Sequence, residues 1–180
     1  MIANKSFFEA GFDIIPLVNQ ADANSDVTGD WIKLTNYSRA LVVLAKYGTE
    51  DVDDLGLQFL QAQTDGGSSK ALTASRYWYK TGVLTSQATW TAGVHTTPAD
   101  GLAFGSAVPT GFTRTVADVD TAALLLAVDI MATDLDIDGG YDWFTIFIEG
   151  DNANNAVLVS AWAILQGGRF PQTTPLSAIS

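Results

Sequence analysis

Apolar and polar residues alternate along much of this chain, at the two-residue period of a half-buried β-strand. Residues 31–35 alternate, and residues 55–59 place apolar groups on one face. Residues 40–45 form a continuous apolar run, which indicates a strand covered on both faces or lying at an oligomer contact. Turn residues such as those at 65–67 separate these segments. The pattern predicts an all-β fold, a single jelly-roll-like β-sandwich of about eight strands.

Residues 70–80 predict a fourth strand that carries aromatic and cationic side chains. Tyr77 and Tyr79 fall on one face, and Arg76 and Trp78 on the other. Aromatic rings offer a large contact area on which Arg stacks, so Tyr77, Trp78 and Tyr79 are candidate binding residues for sugar or protein. The alternative is an ordinary face that packs against neighbouring strands.

Two apolar runs, residues 122–131 and 156–165, fit either a buried strand or a buried helix. Asn154 or Asn155 is able to cap a helix there, and Gly167 is able to end it. Each run is only about ten residues long and the turns elsewhere have β-like spacing, which favours strands.

The two ends of the chain are predicted to be an N-terminal arm, 1–16, and an extended C-terminal tail, 167–180, which contains two prolines. Both ends are apolar enough to dock on a surface. The polar stretch 19–30 is predicted to be a surface loop, and the low-charge stretch 82–118 a long excursion or a set of short edge strands. The candidate docking residues at the ends are Phe7, Phe8, Phe12, Phe170, Leu176 and Ile179.

The sharpest turn signal lies at Gly139-Gly140, where it predicts a tight turn between two neighbouring strands. Asp134, Asp136, Asp138 and Gly139 match the opening of a helix-loop-helix calcium site, but Thr145 stands where the bidentate Glu is required. A weaker cation site formed by Asp136, Asp138 and Asp142 remains an alternative. The simpler interpretation is a strand with Leu135 and Ile137 on one face and solvent-facing aspartates on the other.

Composition and charge narrow the range of functions expected for this chain. At 180 residues and 19.1 kDa, residues 1–180 fit one domain. The formal charge of −11 repels phosphate backbones and anionic lipid, so no nucleic-acid partner is expected. No apolar run is long enough to span a bilayer and no signal peptide is apparent, so we expect synthesis in the cytoplasm. With no cysteine, one histidine (His95) and no nucleophile-elbow motif, we expect no enzyme, no catalytic residue and no cofactor.

Three stretches carry a family resemblance: residues 31–37, residues 134–144, and the ending 168–179. Together they resemble the small β-sandwich proteins that tailed bacteriophages encode as head decoration, or capsid cement. The resemblance implies a non-enzymatic virion protein that binds the outside of the major capsid lattice and reinforces it. It also implies arms that reach between subunits, a homo-oligomer on the capsid exterior, and no active site.

Two other functions stay open at this point. One is a neck or tail component of the same virion. The other is a carbohydrate-binding module that uses Tyr77, Trp78 and Tyr79 together with a calcium ion at Asp136 and Asp138.

Overall fold

The computed structural model describes residues 11–22, 25–48, 55–72, 76–81, 89–94, 102–104, 114–116, 123–149 and 157–167. These residues form thirteen β-strands and one short 3₁₀ turn, Ala132–Asp134, which confirms the all-β prediction. The strands are β1 Asp13–Asp22, β2 Val27–Thr28, β3 Ile32–Lys33, β4 Arg39–Gly48, β5 Leu55–Ala62, β6 Ser69–Leu72, β7 Arg76–Thr81, β8 Thr91–Val94, β9 Leu102–Phe104, β10 Arg114–Val116, β11 Ala123–Met131, β12 Trp143–Glu149 and β13 Val157–Gln166.

The strands make two sheets. The six-stranded sheet has the order β1-β13-β4-β11-β7-β8, and all its pairs are antiparallel. The seven-stranded sheet has the order β10-β9-β5-β12-β2, with β3 also paired to β12 and β6 to β5. Its pairs are antiparallel except for β9 with β10. The predicted count of about eight strands and the jelly-roll path are not confirmed.

One apolar core lies between the two sheets and draws on the inward face of each. Alternation produces it, because every second residue of a strand points to the same side. Full burial of a Leu, Ile or Phe side chain contributes about 1.5–3 kcal/mol. Core residues from the six-stranded sheet include Val42, Leu44, Leu126, Val128 and Ala161, and those from the seven-stranded sheet include Leu57, Phe59, Phe144, Ile146 and Ile148.

Both ambiguous apolar runs are strands. They form β11 and β13, which lie inside the six-stranded sheet on either side of β4. Their register with β4 runs unbroken from Ala123 to Met131 and from Val157 to Gln166. The interpretation that favoured strands is therefore confirmed.

The predicted fourth strand over 70–80 is wrong, because the chain changes sheets inside it. β6 pairs with β5 in the seven-stranded sheet, whereas β7 pairs with β11 in the six-stranded sheet. A two-residue period assigns residues to faces but does not identify the neighbouring strand, so the pattern alone did not reveal this crossing.

Residues 13–22 and 27–28 also differ from expectation. Residues 13–16, predicted as part of an arm, begin β1 and pair with β13. β1 continues through Asp22, and β2 lies at 27–28, so the predicted loop over 19–30 is wrong for six of its twelve residues. The low-charge stretch 82–118 contributes the short strands β8, β9 and β10, of which β8 and β10 end the two sheets.

Residues 29 and 30 connect the sheets at one side of the sandwich. The Gly29 N–H donates to the Ile146 carbonyl at 2.9 Å, and the Asp30 N–H donates to the Leu17 carbonyl at 2.8 Å. The buried Thr145 hydroxyl donates to the Gly29 carbonyl at 2.7 Å. Thr145, which stands where a calcium loop needs Glu, therefore holds this crossing in place. Within the described part of the chain, no helix has the length and apolar character needed to cross a membrane.

Candidate interaction surface

Residues 132–142, called here the acidic loop, carry the chain from β11 in one sheet to β12 in the other. The loop is therefore not the predicted tight turn between paired strands. It starts with the 3₁₀ turn, where the Asp134 carboxylate accepts a hydrogen bond from the Met131 N–H at 2.8 Å. Leu135 is buried and Ile137 is exposed, so the predicted strand with both on one face is also wrong.

Two carboxylates of the acidic loop, those of Asp136 and Asp142, are paired with separate lysines. Asp136 forms an ion pair with Lys70 and accepts a hydrogen bond from the Gly139 N–H at 3.0 Å. Asp142 lies 3.1 Å from the Lys33 ammonium and accepts the Thr35 hydroxyl at 2.7 Å. No three His, Cys, Asp or Glu side chains gather as metal ligands among the residues that the structure describes. Asp136, Asp138 and Asp142 all line one cleft, but their carboxylates do not gather there as a set of metal ligands.

These surroundings move two pKa values in opposite directions. The hydrogen bond from Lys70, together with that from the Gly139 N–H, lowers the pKa of Asp136. Burial raises the pKa of Asp134, and the nearby charge of Asp129 adds to this, while the Met131 N–H opposes it. Asp136 is fully exposed, so its pairing is solvent-screened and contributes little to folding.

Two glutamines of the β5 region, which sequence reasoning did not single out, also hold the acidic loop. The Gln61 carbonyl oxygen accepts from the Asp136 N–H at 2.8 Å, and the Gln63 amide donates to the Gly139 carbonyl at 2.8 Å. Gly140 has φ of +82°, which confirms the left-handed conformation predicted at this glycine pair. A cleft of about 450 Å³ lies beside the loop, with Leu34, Leu135 and Asp142 in its lining. The Asp142 carboxylate in this cleft is already paired.

The aromatic trio of β7 is divided between the two sides of the six-stranded sheet. Tyr77 is buried in the core, and Tyr79 packs against that core with its ring stacked on Tyr77 at 6.3 Å between centroids. Trp78 alternates to the opposite side. The trio is therefore not one continuous binding surface, and the packing interpretation holds for the two tyrosines.

Among the described residues, most exposed large apolar side chains lie on or beside the outward side of the six-stranded sheet, called here the outer face. The strand register shows which residues belong to the outer face. In β4 these include Leu41 and Val43. Their neighbours are Ile164 and Trp162 on β13, and Asp129 and Ala127 on β11. Strand β1 adds Ile14 and Pro16, opposite Ile164 and Trp162. Strand β7 adds Trp78 and Lys80, opposite Ala127 and Leu125.

Exposure sets the outer face apart from the rest of the described surface. The described residues include seven exposed large apolar side chains, and six of them lie on the outer face or at its edge. Their exposed fractions run from 38% to 58%. The exception is Ile137 of the acidic loop. The six are Ile14, Tyr47, Trp90, Met131, Leu158 and Trp162.

Charge on the outer face is balanced. Arg39 forms a bidentate pair with the buried Asp129, with N–O distances of 3.1 and 2.8 Å. The Lys80 ammonium lies 4.8 Å from the centre of the Trp90 ring. Asp22, in register with Leu158, is a second carboxylate at the corner of the sheet. The described side chains of the outer face thus carry two cations and two anions, within a chain whose formal charge is −11.

Among the predicted docking residues at the chain ends, Phe12 is half-buried just before β1. Phe7, Phe8, Phe170, Leu176 and Ile179 lie outside the described residues, as does His95. Comparison of this chain with protein-family models, with curated proteins and with solved structures gave no match.

Proposed function

We propose that this chain is a non-enzymatic structural protein that acts by docking onto other protein subunits. The observation that carries this proposal is the outer face, where six exposed large apolar side chains gather on or beside one sheet. Exposed apolar side chains that gather on one surface mark interaction sites. In the acidic loop, by contrast, the Asp136 and Asp142 carboxylates are already paired with lysines of the same chain.

The assembly in this proposal is the virion of a tailed bacteriophage, with the protein on the capsid exterior as a decoration or cement protein. The resemblance described above supports this assignment, and the acidic exterior suits a protein that does not contact packaged DNA. The major capsid protein would be its partner. The strands would follow a jelly-roll-like path, and the two terminal segments would provide further contacts.

The test is the copy number in purified virions of the phage that encodes the chain, measured by quantitative gel staining against the major capsid protein. A decoration protein is expected at hundreds of copies per particle, whereas a neck or tail ring holds about a dozen. Absence from the virion would overturn the proposal. A value near a dozen would move the protein to the neck or tail.

A second test separates docking from catalysis and from sugar binding. Particles that lack the protein should bind it when it is added back, and deletion of residues 1–12, part of the predicted N-terminal arm, should weaken that binding. Unchanged binding of a deletion variant that still folds would count against the proposal. Retention of a glycan ligand on an array with calcium present would favour the carbohydrate-binding alternative instead.

A further inference from the structure

We infer that the outer face of the six-stranded sheet is the contact between two copies of this chain, packed sheet against sheet. This inference rests on the proposed docking function and deepens it, because it names a second copy of the chain as the subunit that covers the outer face. It does not depend on the virion assignment, in which the capsid contacts would lie elsewhere on the chain. It rests on the area, the charge and the side-chain composition of the outer face.

The area of the outer face matches what a stable dimer needs. Each strand residue covers about 16 Å² of a sheet face, from a rise of about 3.3 Å and a strand spacing of about 4.8 Å. The six strands run from four to ten residues in length, so the face measures about 800 Å². Stable interfaces bury about 800 Å² per partner. A single extended segment of this chain would cover only part of that area.

The charge of the outer face also favours a second copy. Two chains of formal charge −11 repel each other over most orientations of approach. The described side chains of the outer face carry two cations, Arg39 and Lys80, and two anions, Asp129 and Asp22, and of these Arg39 and Asp129 contact each other. Face-to-face packing therefore brings together two surfaces that are far less negative than the chain as a whole.

The side chains of the outer face are those of an interface centre. Trp162 stands between Pro16 and Val43 across the strands, at the middle of the β1-β13-β4 region. Tyr47 and Leu158 are directly paired nearby. Aromatic residues dominate interface energies, and charged residues are depleted from interface centres. The Arg39–Asp129 pair supplies a fixed polar feature that orients one sheet on the other.

The inference is tested by measuring the mass of the purified full-length chain in solution, by light scattering and sedimentation over a range of concentrations. The wild-type chain should be a dimer. Trp162→Glu should raise the dimer dissociation constant at least about 30-fold, the equivalent of one interface hot spot. Tyr47→Glu is a second variant at the most exposed of the six side chains, where folding is least affected. Ile137→Glu should leave the dimer unchanged, and circular dichroism should report that all variants fold.

Three results would overturn the inference. A wild-type monomer would do so, as would a dimer that survives both outer-face substitutions. The third is a monomer that dimerises only after residues 168–180 are removed, which would make that segment of the same chain the occupant. Because this measurement uses no virion, loss of the dimer would leave the virion assignment standing, and absence from virions would leave the dimer standing.

Discussion

The acidic loop and the outer face show opposite relations between sequence and structure. The acidic loop has the pattern of a chemical site, yet Lys70, Lys33 and backbone N–H groups already engage three of its four carboxylates, those of Asp134, Asp136 and Asp142. The outer face comes from apolar runs that are typical of a core, yet its large side chains remain in water. Side chains that the chain itself satisfies have little to offer a partner, whereas side chains left unsatisfied gain free energy when one binds.

The strongest test of this comparison is to substitute two adjacent leucines of β11, one on each side of the sheet. Leu126 points into the core and is buried, whereas Leu125 points to the outer face and is half-buried. Leu126→Ala should lower the free energy of unfolding by about 2–5 kcal/mol. Leu125→Ala should lower it by less than about 1.5 kcal/mol at a dilution that separates the copies. Urea denaturation measures both, and equal losses would mean that the monomer itself covers the outer face.

The next largest effect is expected for the ion pair of the outer face. Arg39→Met leaves the buried Asp129 carboxylate without its bidentate donor, so we expect a loss of about 1–3 kcal/mol. Lys33→Met is the matched change in the acidic loop. It should cost less than about 1 kcal/mol, since that pair is more exposed and Asp142 keeps the Thr35 hydrogen bond. A larger loss of unfolding free energy for Lys33→Met than for Arg39→Met would mean that the ion pair of the acidic loop contributes more to stability than that of the outer face.

A smaller effect concerns the two aspartates with opposite pKa shifts. The folded pKa of Asp136 is lowered, so its contribution is present above the unfolded pKa and is lost as the pH falls through the folded value. The folded pKa of Asp134 is raised, so its ionised form costs stability at neutral pH and that cost is relieved on acidification.

Melting temperatures between pH 3 and pH 7 separate these two contributions. Asp136→Asn should weaken the acid-induced loss of stability, whereas Asp134→Asn should strengthen it. Asn keeps an acceptor for the Met131 N–H at position 134, so that variant changes mainly the charge. Shifts of the same sign for the two variants would contradict the opposite pKa directions.

The smallest expected effect is that of calcium. Because Asp136 and Asp142 pair with different lysines, melting curves with calcium and with a chelator should coincide. A stabilisation that saturates with calcium and disappears in Asp138→Asn would instead support a cation site in the acidic loop.

Alternation and turn residues were sufficient to predict much of the secondary structure. Strand β5 follows from apolar alternation and β4 from a continuous apolar run, and the glycine pair predicted the left-handed Gly140. The runs that form β11 and β13 fitted strand or helix, and their length and the spacing of turns favoured strands. Sheet membership was beyond this reasoning, since a period of two does not say which strand is adjacent. That is why the crossing between β6 and β7 was missed.

The candidate site was less predictable than the fold. Lys70 lies 66 residues before Asp136 in the chain, and no local pattern links the two. The sequence pattern did not predict the outer face either, because strands inside a core and strands at an oligomer contact have the same continuous apolar runs. The run over 40–45 had left both possibilities open, and in β4 the half-buried Leu41 and Val43 belong to the outer face.

The order of the six-stranded sheet bears on how the protein is made. Strand β13 lies between β1 and β4, although β1 ends at Asp22 and β13 begins at Val157. At usual elongation rates, the ribosome needs on the order of 10 s to synthesise the residues between β1 and β13, and β1 cannot pair with β13 during that time. The sheet completes only after residue 166 leaves the exit tunnel, so its folding is slow, as distant strand pairing generally is.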